Sequence, residues 1–451
     1  ALDAETSEID LMAHIAVLID KSLVMPAGSD ERRRFLLLDT IRDFAASKGG
    51  GSASAGLRTR HAKYYLAVAD ELHDARRRLP AEDLFARYVD DSHNFYAALS
   101  WCLEHRGDPA IGARLAVLLA DYFAHGSFQT ARHWYELALE RVDPSAIELR
   151  ADIELELEVF SRFTPYTEQR LARIRAFAEV YRELRSPKLR YAVGWLANAL
   201  SKMGRPAEAR QAAEESVAIA RGFGDPGNLA WALRVYALVL TPADRAERVS
   251  ALQQSLQVLG PSAPDVDTAT ALSFMSVAEF EGGDVDAARR VAREALEIYD
   301  RNPGMHGRLH ATAMMNLAGY DLLAGDIESG RALALDALML AFRIASAAHL
   351  IGAIDCLALA AVIAGDADRA GRLVGFSDAR LPDASPRNQP QQAVYERAMR
   401  LLEQRYSPDE IARLEAIGAS WDDQTAVEEA RQARAGELAA SKRVAVYDKR
   451  P

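Results

Sequence analysis

The chain's 451 residues exceed what one ordinary hydrophobic core holds, so two or more domains or a repeat array is expected. Its 49% apolar and 26% charged residues are the balance of a folded chain, not a disordered one. A net charge of −11 argues against general binding of nucleic acid or anionic membrane by the chain as a whole.

Residues 1–48 stand apart from the rest. Ile9 to Leu18 reads as a short amphipathic helix, Lys21–Met25 as a strand, Pro26–Arg33 as a polar turn and Arg34–Leu38 as a returning strand. Asp39 is placed to cap a following helix that carries Ile41, Phe44 and Ala45 on one face. Helix, hairpin and helix together resemble the C-terminal half of a winged helix, and Arg32-Arg33-Arg34 on the hairpin reads as a solvated run. Residues 49–56, Gly-Gly-Gly-Ser-Ala-Ser-Ala-Gly, have the composition of a flexible linker.

From 57 to 109 the pattern is a helical connector. Ala62, Tyr65, Leu66 and Ala69 fall on one face, and Asp90–Leu103 is a second, strongly apolar helix. Pro80 and Gly107-Asp108-Pro109 mark the ends. Cys102 and Cys356, the only cysteines, lie inside apolar helical patterns and read as buried thiols of a reducing compartment. No apolar run approaches the roughly 20 residues a spanning helix needs. No signal peptide is visible, and the opening at Ala1 in mid-pattern reads as a piece of a longer cytoplasmic protein.

Residues 110–380 carry one unit written several times. Gly204-Arg205-Pro206-Ala207-Glu208-Ala209-Arg210 and Gly283-Asp284-Val285-Asp286-Ala287-Ala288-Arg289 each end one apolar helix and begin another, with a degenerate copy at Thr241–Ala246. Further copies stand at Gly126, Gly325-Asp326 and Gly365-Asp366, with a weak one near Pro165. The landmarks 204, 244, 283, 325 and 365 are 40, 39, 42 and 40 residues apart, the signature of a helical-repeat superhelix. Ala197, Ala237, Ala318 and Ala358 stand seven before their landmarks, and Ala209, Ala288 and Ala370 five after, where small side chains let paired helices approach. The length beyond a standard tetratricopeptide lies in connections such as 222–227 and 260–264. Ser377–Gln392 reads as a loop, 381–434 as a capping segment with closing helices at Tyr395–Tyr406 and Pro408–Ile417, and 435–451 as a polar tail. The fold class expected is all-α, a tetratricopeptide-like superhelix behind a small partial winged helix.

The stretches "LIDKSLV", "RFLLLDTIRDFA", "RHAKYYLAVAD" and "DDSHNFYAALSWCLEHRGD", with "GDADRAGRLVGFSDA" and "YERAMRLLEQRYSPDEIARLEAIGASWDDQTAVEEA", are similar to bacterial regulators of the STAND class, signal-transduction ATPases with numerous domains, including LuxR-type transcriptional regulators. The resemblance is firm at 18–107 and 357–430 and looser between. It implies that the chain joins the end of a winged helix to a sensor array, with ATP bound by an upstream ATPase module in cis and no cofactor in these residues.

Motifs of chemistry are missing. There is no Gly-x-x-x-x-Gly-Lys-Ser/Thr, Gly-x-Ser-x-Gly, His-Glu-x-x-His or Cys-x-x-Cys. His306 and His310 have i, i+4 spacing but no third ligand nearby, and zinc needs three or four. The alternating acids of Asp152–Glu158 read as the acidic side of a helix. No enzymatic role is expected.

Binding residues are instead expected on the first helix of each pair, which lines the concave side of such arrays. The candidates are Tyr191, Asn198, Lys202, Trp231, Arg234, Ser273, Glu281 and Met315. Aromatic, Arg and Asn side chains combine rigid area with hydrogen bonds at low entropic cost. Trp231 and Tyr191 could equally fill space between repeats; Trp101 and Trp134 read as core. The function expected is sensing of a small ligand, peptide or partner protein to control an upstream switch; a scaffold without a switching role is the alternative. Contact with membrane is not expected, nor contact with DNA through this chain.

Overall fold

The computed structural model describes residues 8–27, 34–38, 40–41, 44, 51–75, 81–124, 128–161, 164–260, 265–301, 307–344, 346–381 and 387–431. The chain divides into two compact units, Ala1–Tyr122 with His133–Ile153, and Phe123–Arg132 with Glu154–Pro451.

In the first unit, α1 (Glu8–Asp20) packs against an antiparallel hairpin of β1 (Val24–Ala27) and β2 (Arg34–Leu37), with Val24 opposite Leu37 and Ala27 opposite Arg34. The expected turn thus gives up Pro26 and Ala27 to β1. A proline is tolerated there because each strand of a two-stranded ribbon keeps one unpaired edge. Arg32, Arg33, Asp39 and Ala45 lie outside the described residues.

Helices α2 (Gly51–Ala75), α3 (Ala81–Leu103) and α4 (Pro109–Leu118) pack on one another. Ala62 and Ala69 are buried, and Tyr65 sets its edge 5.7 Å from the ring of buried Phe95. Asp108 caps α4, accepting from the amide of Ala110 at 2.9 Å. One expectation changes: α2 begins at Gly51, so residues 51–56 are helical rather than linker. Glycine and serine lower helix propensity, but a helix already nucleated downstream can extend through them.

Helices α5 (Ala120–Ala124), α6 (Phe128–Arg141) and α7 (Ile147–Phe160) follow. The alternating acids of 152–158 lie inside α7, a helix as read. Gly126 lies outside the described residues.

The second unit continues with α8 (Glu168–Glu183) and five antiparallel pairs: α9 (Leu189–Lys202) with α10 (Pro206–Phe223), α11 (Pro226–Val239) with α12 (Arg245–Leu259), α13 (Asp265–Glu281) with α14 (Val285–Arg301), α15 (Gly307–Ala324) with α16 (Ile327–Arg343), and α17 (Ala347–Ile363) with α18 (Ala367–Arg380). The first helix of each pair touches the first helix of the next, while each second helix packs on its own partner and on the following first helix. The first helices therefore form the inner layer of the stack.

The repeat's turns have one chemistry. Gly204, Gly283, Gly325 and Gly365 all have positive φ, between 74° and 94°. Behind each, an amide bonds back over five residues: Arg205 to Leu200, Asp284 to Glu279, Asp326 to Asp321 and Asp366 to Ala361, at 2.8–3.1 Å. Asp284, Asp326 and Asp366 then cap the next helix with their side chains. The degenerate copy turns differently, through a Thr241–Asp244 capping box opening a short 3-10 turn. Ala197, Ala237, Ala318, Ala358, Ala209, Ala288 and Ala370 are all buried at the contacts.

Three helices close the chain: α19 (Gln389–Glu403), α20 (Pro408–Ala419) and α21 (Asp423–Arg431). Helix α20 crosses α18 where Gly375 and Gly418 allow backbone to meet backbone. The expected loop at Ser377–Gln392 is shorter than read, because α18 runs to Arg380 and α19 starts at Gln389. Helix α19 also does more than cover the end. It packs on α13, α15 and α17, along the inner layer. Residues 435–451 lie outside the described residues.

Candidate functional site

Inner-layer residues left partly or wholly exposed are found on α9 and α11. The helical period places Tyr191, Trp195, Asn198 and Lys202 on one stripe of α9. The first three are half-buried and Lys202 is exposed. On α11 the corresponding stripe is Asn228, Trp231, Val235 and Leu238, with Leu238 47% exposed.

The two stripes are fastened together. The Tyr191 hydroxyl donates to Asn228 Oδ1 at 2.9 Å, and its ring meets Trp231 edge-on at 4.7 Å. The tip of the Trp231 ring lies over Gly194, where an added Cβ would come within 2.5 Å of it. Arg190 backs the Tyr191 ring at 4.2 Å. Trp231 and Tyr191 thus fill the gap between repeats and keep part of their surface exposed.

Asn198 is held from the other side. Its Nδ2 donates to the Tyr166 hydroxyl at 3.0 Å, and Tyr166 covers the Arg170 guanidinium at 3.9 Å. Arg170 makes a bidentate pair with Glu158, at 2.9 and 2.6 Å, with both side chains buried. Burial, and then the Glu158 charge, raise the Tyr166 pKa, so the hydroxyl stays neutral and able to both donate and accept. The amide is therefore pre-positioned by a buried ionic base. Sequence reading missed Tyr166, Trp195, Asn228, Val235 and Leu238; the i, i+4, i+7 stripe through Tyr191 was the available signal for Trp195.

The remaining candidates lie elsewhere. Arg234 is 5% exposed and pairs with Asp267 at 2.6 Å, tying α11 to α13. Ser273 is buried, and its hydroxyl donates to its own helix at Ala269 O. Glu281 pairs with Arg248, joining α13 to α12. Met315 is core: it is 4% exposed and sits beside Gly352 and Gln391 of α19. These four are corrected from ligand-facing to packing positions. Arg234, Ser273 and Met315 share one offset, ten before their landmarks, and that offset falls on the packed face of the first helix, where Gly194 is buried too.

Among the described residues no group of three or more His, Cys, Asp or Glu side chains could hold a metal ion. His306 lies outside them, and His310 is buried, 3.0 Å from Asp300 and stacked on Tyr299. Cys102 and Cys356 are buried free thiols, and burial pushes Cys102 up to about 11. No helix among the described residues is long and apolar enough to cross a membrane.

This is a tetratricopeptide-like helical-repeat array. The tetratricopeptide repeat model matches residues 196–222, across the α9–α10 turn. The chain is 30% identical over 145 residues to proteins of Mycobacterium bovis and Mycobacterium tuberculosis that carry the name of HTH-type transcriptional regulators. The match covers 31% of this chain and only 16% of theirs. Among solved structures it resembles a Signal Transduction ATPase with Numerous Domains (STAND) protein with a tetratricopeptide repeat sensor, from Pyrococcus horikoshii. That likeness has a TM-score of 0.52 at 13% identity, covering 94% of this chain and 60% of the other.

Proposed function

We propose that the second unit is the sensing array of a STAND-type signal-transduction ATPase or transcriptional regulator, and that it binds a peptide or partner protein on the inner face of α9 and α11. The observation that carries this is the partly open Tyr191–Trp231–Asn198 surface, rigid and aromatic, with an amide fixed by the buried Glu158–Arg170 pair. Lys202 at its edge favours an acidic or C-terminal carboxylate group. The likeness to a protein with a tetratricopeptide repeat sensor and to named regulators supports the same reading. In it, ATP belongs to a module outside residues 1–451, the setting is the cytoplasm, and this chain performs no chemistry. Binding must differ between two states of the switch, because a ligand with equal affinity for both shifts nothing.

The test is a peptide array probed with the full chain, followed by calorimetry on the peptides retained. Asn198→Ala and Leu238→Glu should each weaken binding by roughly tenfold or more without changing helical content. Binding indifferent to both variants would sink the reading. Binding that is lost in the variants but leaves nucleotide turnover of the longer protein unchanged would turn it into the scaffold alternative.

A further inference from the structure

The inner layer is open at α9 and α11 but occupied further along. Helix α19 lies there with a strict stripe: Pro390, Val394, Ala398 and Leu402 are buried at four-residue spacing, while Gln392, Glu396, Arg400 and Glu403 are exposed. Its anchors are those of a helix laid in a groove. Val394 is seated over Gly319 of α15, where an added Cβ would come within 3.1 Å of its Cγ2. Gln391 sits over Gly352 of α17 in the same way, at 2.8 Å.

The polar anchors repeat as well. Arg397 donates to Leu323 O at 2.6 Å, and Arg405, just past the helix, donates to Val362 O. Leu323 and Val362 are in the last turns of α15 and α17, where the helix dipole favours a cation. At the other end Arg387 makes two bonds to buried Asp355 of α17, at 2.7 and 3.1 Å, and lies 3.9 Å from the Tyr395 ring.

We infer that the inner face of α13, α15 and α17 is a helix-binding site whose resident occupant is α19, an internal ligand docked by side-chain anchors that an identical helix supplied from outside can replace. The apolar stripe, Gln391, Arg397 and Arg405 run to the inner layer, while Arg387 and Tyr395 also bond Asp378 of α18 at 2.9 and 2.7 Å, so recognition resides in the helix's own pattern: arginines flanking an i, i+4, i+8 apolar stripe. The inference is independent of the sensing role, since it concerns other helices and its test reads no partner.

The probe is a fluorescein-labelled peptide of residues 387–405, titrated by anisotropy into the full chain. Ala398 is wholly buried, so Ala398→Glu should expel α19 and open the site. The peptide should bind this variant roughly tenfold or more tightly than wild type, whose site is filled, and the peptide bearing the same substitution should not bind. A variant that keeps its helical circular dichroism yet fails to bind the peptide would overturn the inference, as would equal binding by wild type. Should Ala398→Glu not fold, Arg397→Glu with Arg405→Glu removes the carbonyl anchors and is read the same way. Hydrogen exchange on the unmodified chain needs no variant. Amides of α19 exchanging roughly tenfold faster than those of α15 and α17 support replaceable docking, and exchange at the same rate overturns it.

Discussion

Gly194 carries more of the candidate surface than its size suggests, because the Trp231 ring occupies the space a side chain would take. In Gly194→Ala the new methyl would sit 2.5 Å from Trp231 Cη2 and 2.7 Å from Cζ3. The ring must move away, separating α9 from α11 and opening the Tyr191 contact. A loss of about 1–3 kcal/mol is expected, with an altered near-ultraviolet dichroism signal from Trp231. Adding Trp231→Phe, which shortens the ring, should recover most of that loss; a double variant no more stable than Gly194→Ala would show that the clash lies elsewhere. At this scale the sequence was only half legible. Tyr191, Asn198 and Trp231 could be picked out as inner-layer residues. Arg234, Ser273, Glu281 and Met315 could not be told from them, because burial under a neighbour distant in sequence leaves no local mark.

At the scale of the element, the Gly-Asp turns were legible because one residue pair has two tasks, a left-handed helix end and a cap for the next helix. The start of α19 is hidden in the sequence for the opposite reason, although the closing helix expected at Tyr395–Tyr406 is there. The polar, proline-containing stretch before Tyr395 reads as loop, although Asn388, Pro390 and Gln391 are a helix start: Asn388 Oδ1 accepts from the Gln391 amide at 3.0 Å, and Gln391 Oε1 accepts from the Asn388 amide at 2.9 Å. Asn388→Ala should cost about 1 kcal/mol in urea unfolding, with faster exchange confined to the first turn of α19. Between elements, Glu247 of α12 joins Tyr236 of α11 and Arg210 of α10, at 2.5 and 2.7 Å. The bond from Tyr236, then that from Arg210, holds its carboxyl below the ordinary value of 4.5. A depressed acid contributes stability that is fully present above its unfolded pKa and is lost as pH falls through the folded one. Glu247→Gln should therefore melt earlier than wild type at pH 6–7, and the two curves should draw together as pH falls below the ordinary carboxyl value of 4.5. A gap that stays constant down to pH 3 would exclude this linkage.

Across the second unit, a stack of helix pairs ordinarily couples only nearest neighbours, so its stability is a sum of local terms. Helix α19 departs from that rule by touching α13, α15 and α17 together, and its stripe joins one continuous core with Leu322, Ile354, Leu357 and Phe376. The block of α13, α15 and α17 should then be protected together while α19 is docked and loosen together when it leaves, while α9 to α12 retain the graded behaviour of a simple array. Leu402→Ala tests this because its side chain is fully buried in that block. The substitution should remove about 2–5 kcal/mol. If α19 binds the pairs together, hydrogen exchange should accelerate in α13, α15 and α17 alike, with α9 and α11 unchanged. Loosening confined to α17 and α18 would instead make α19 an ordinary end cap. Acceleration that reached α9 would mean the whole unit is one cooperative body, leaving the open inner face no more adaptable than the filled one.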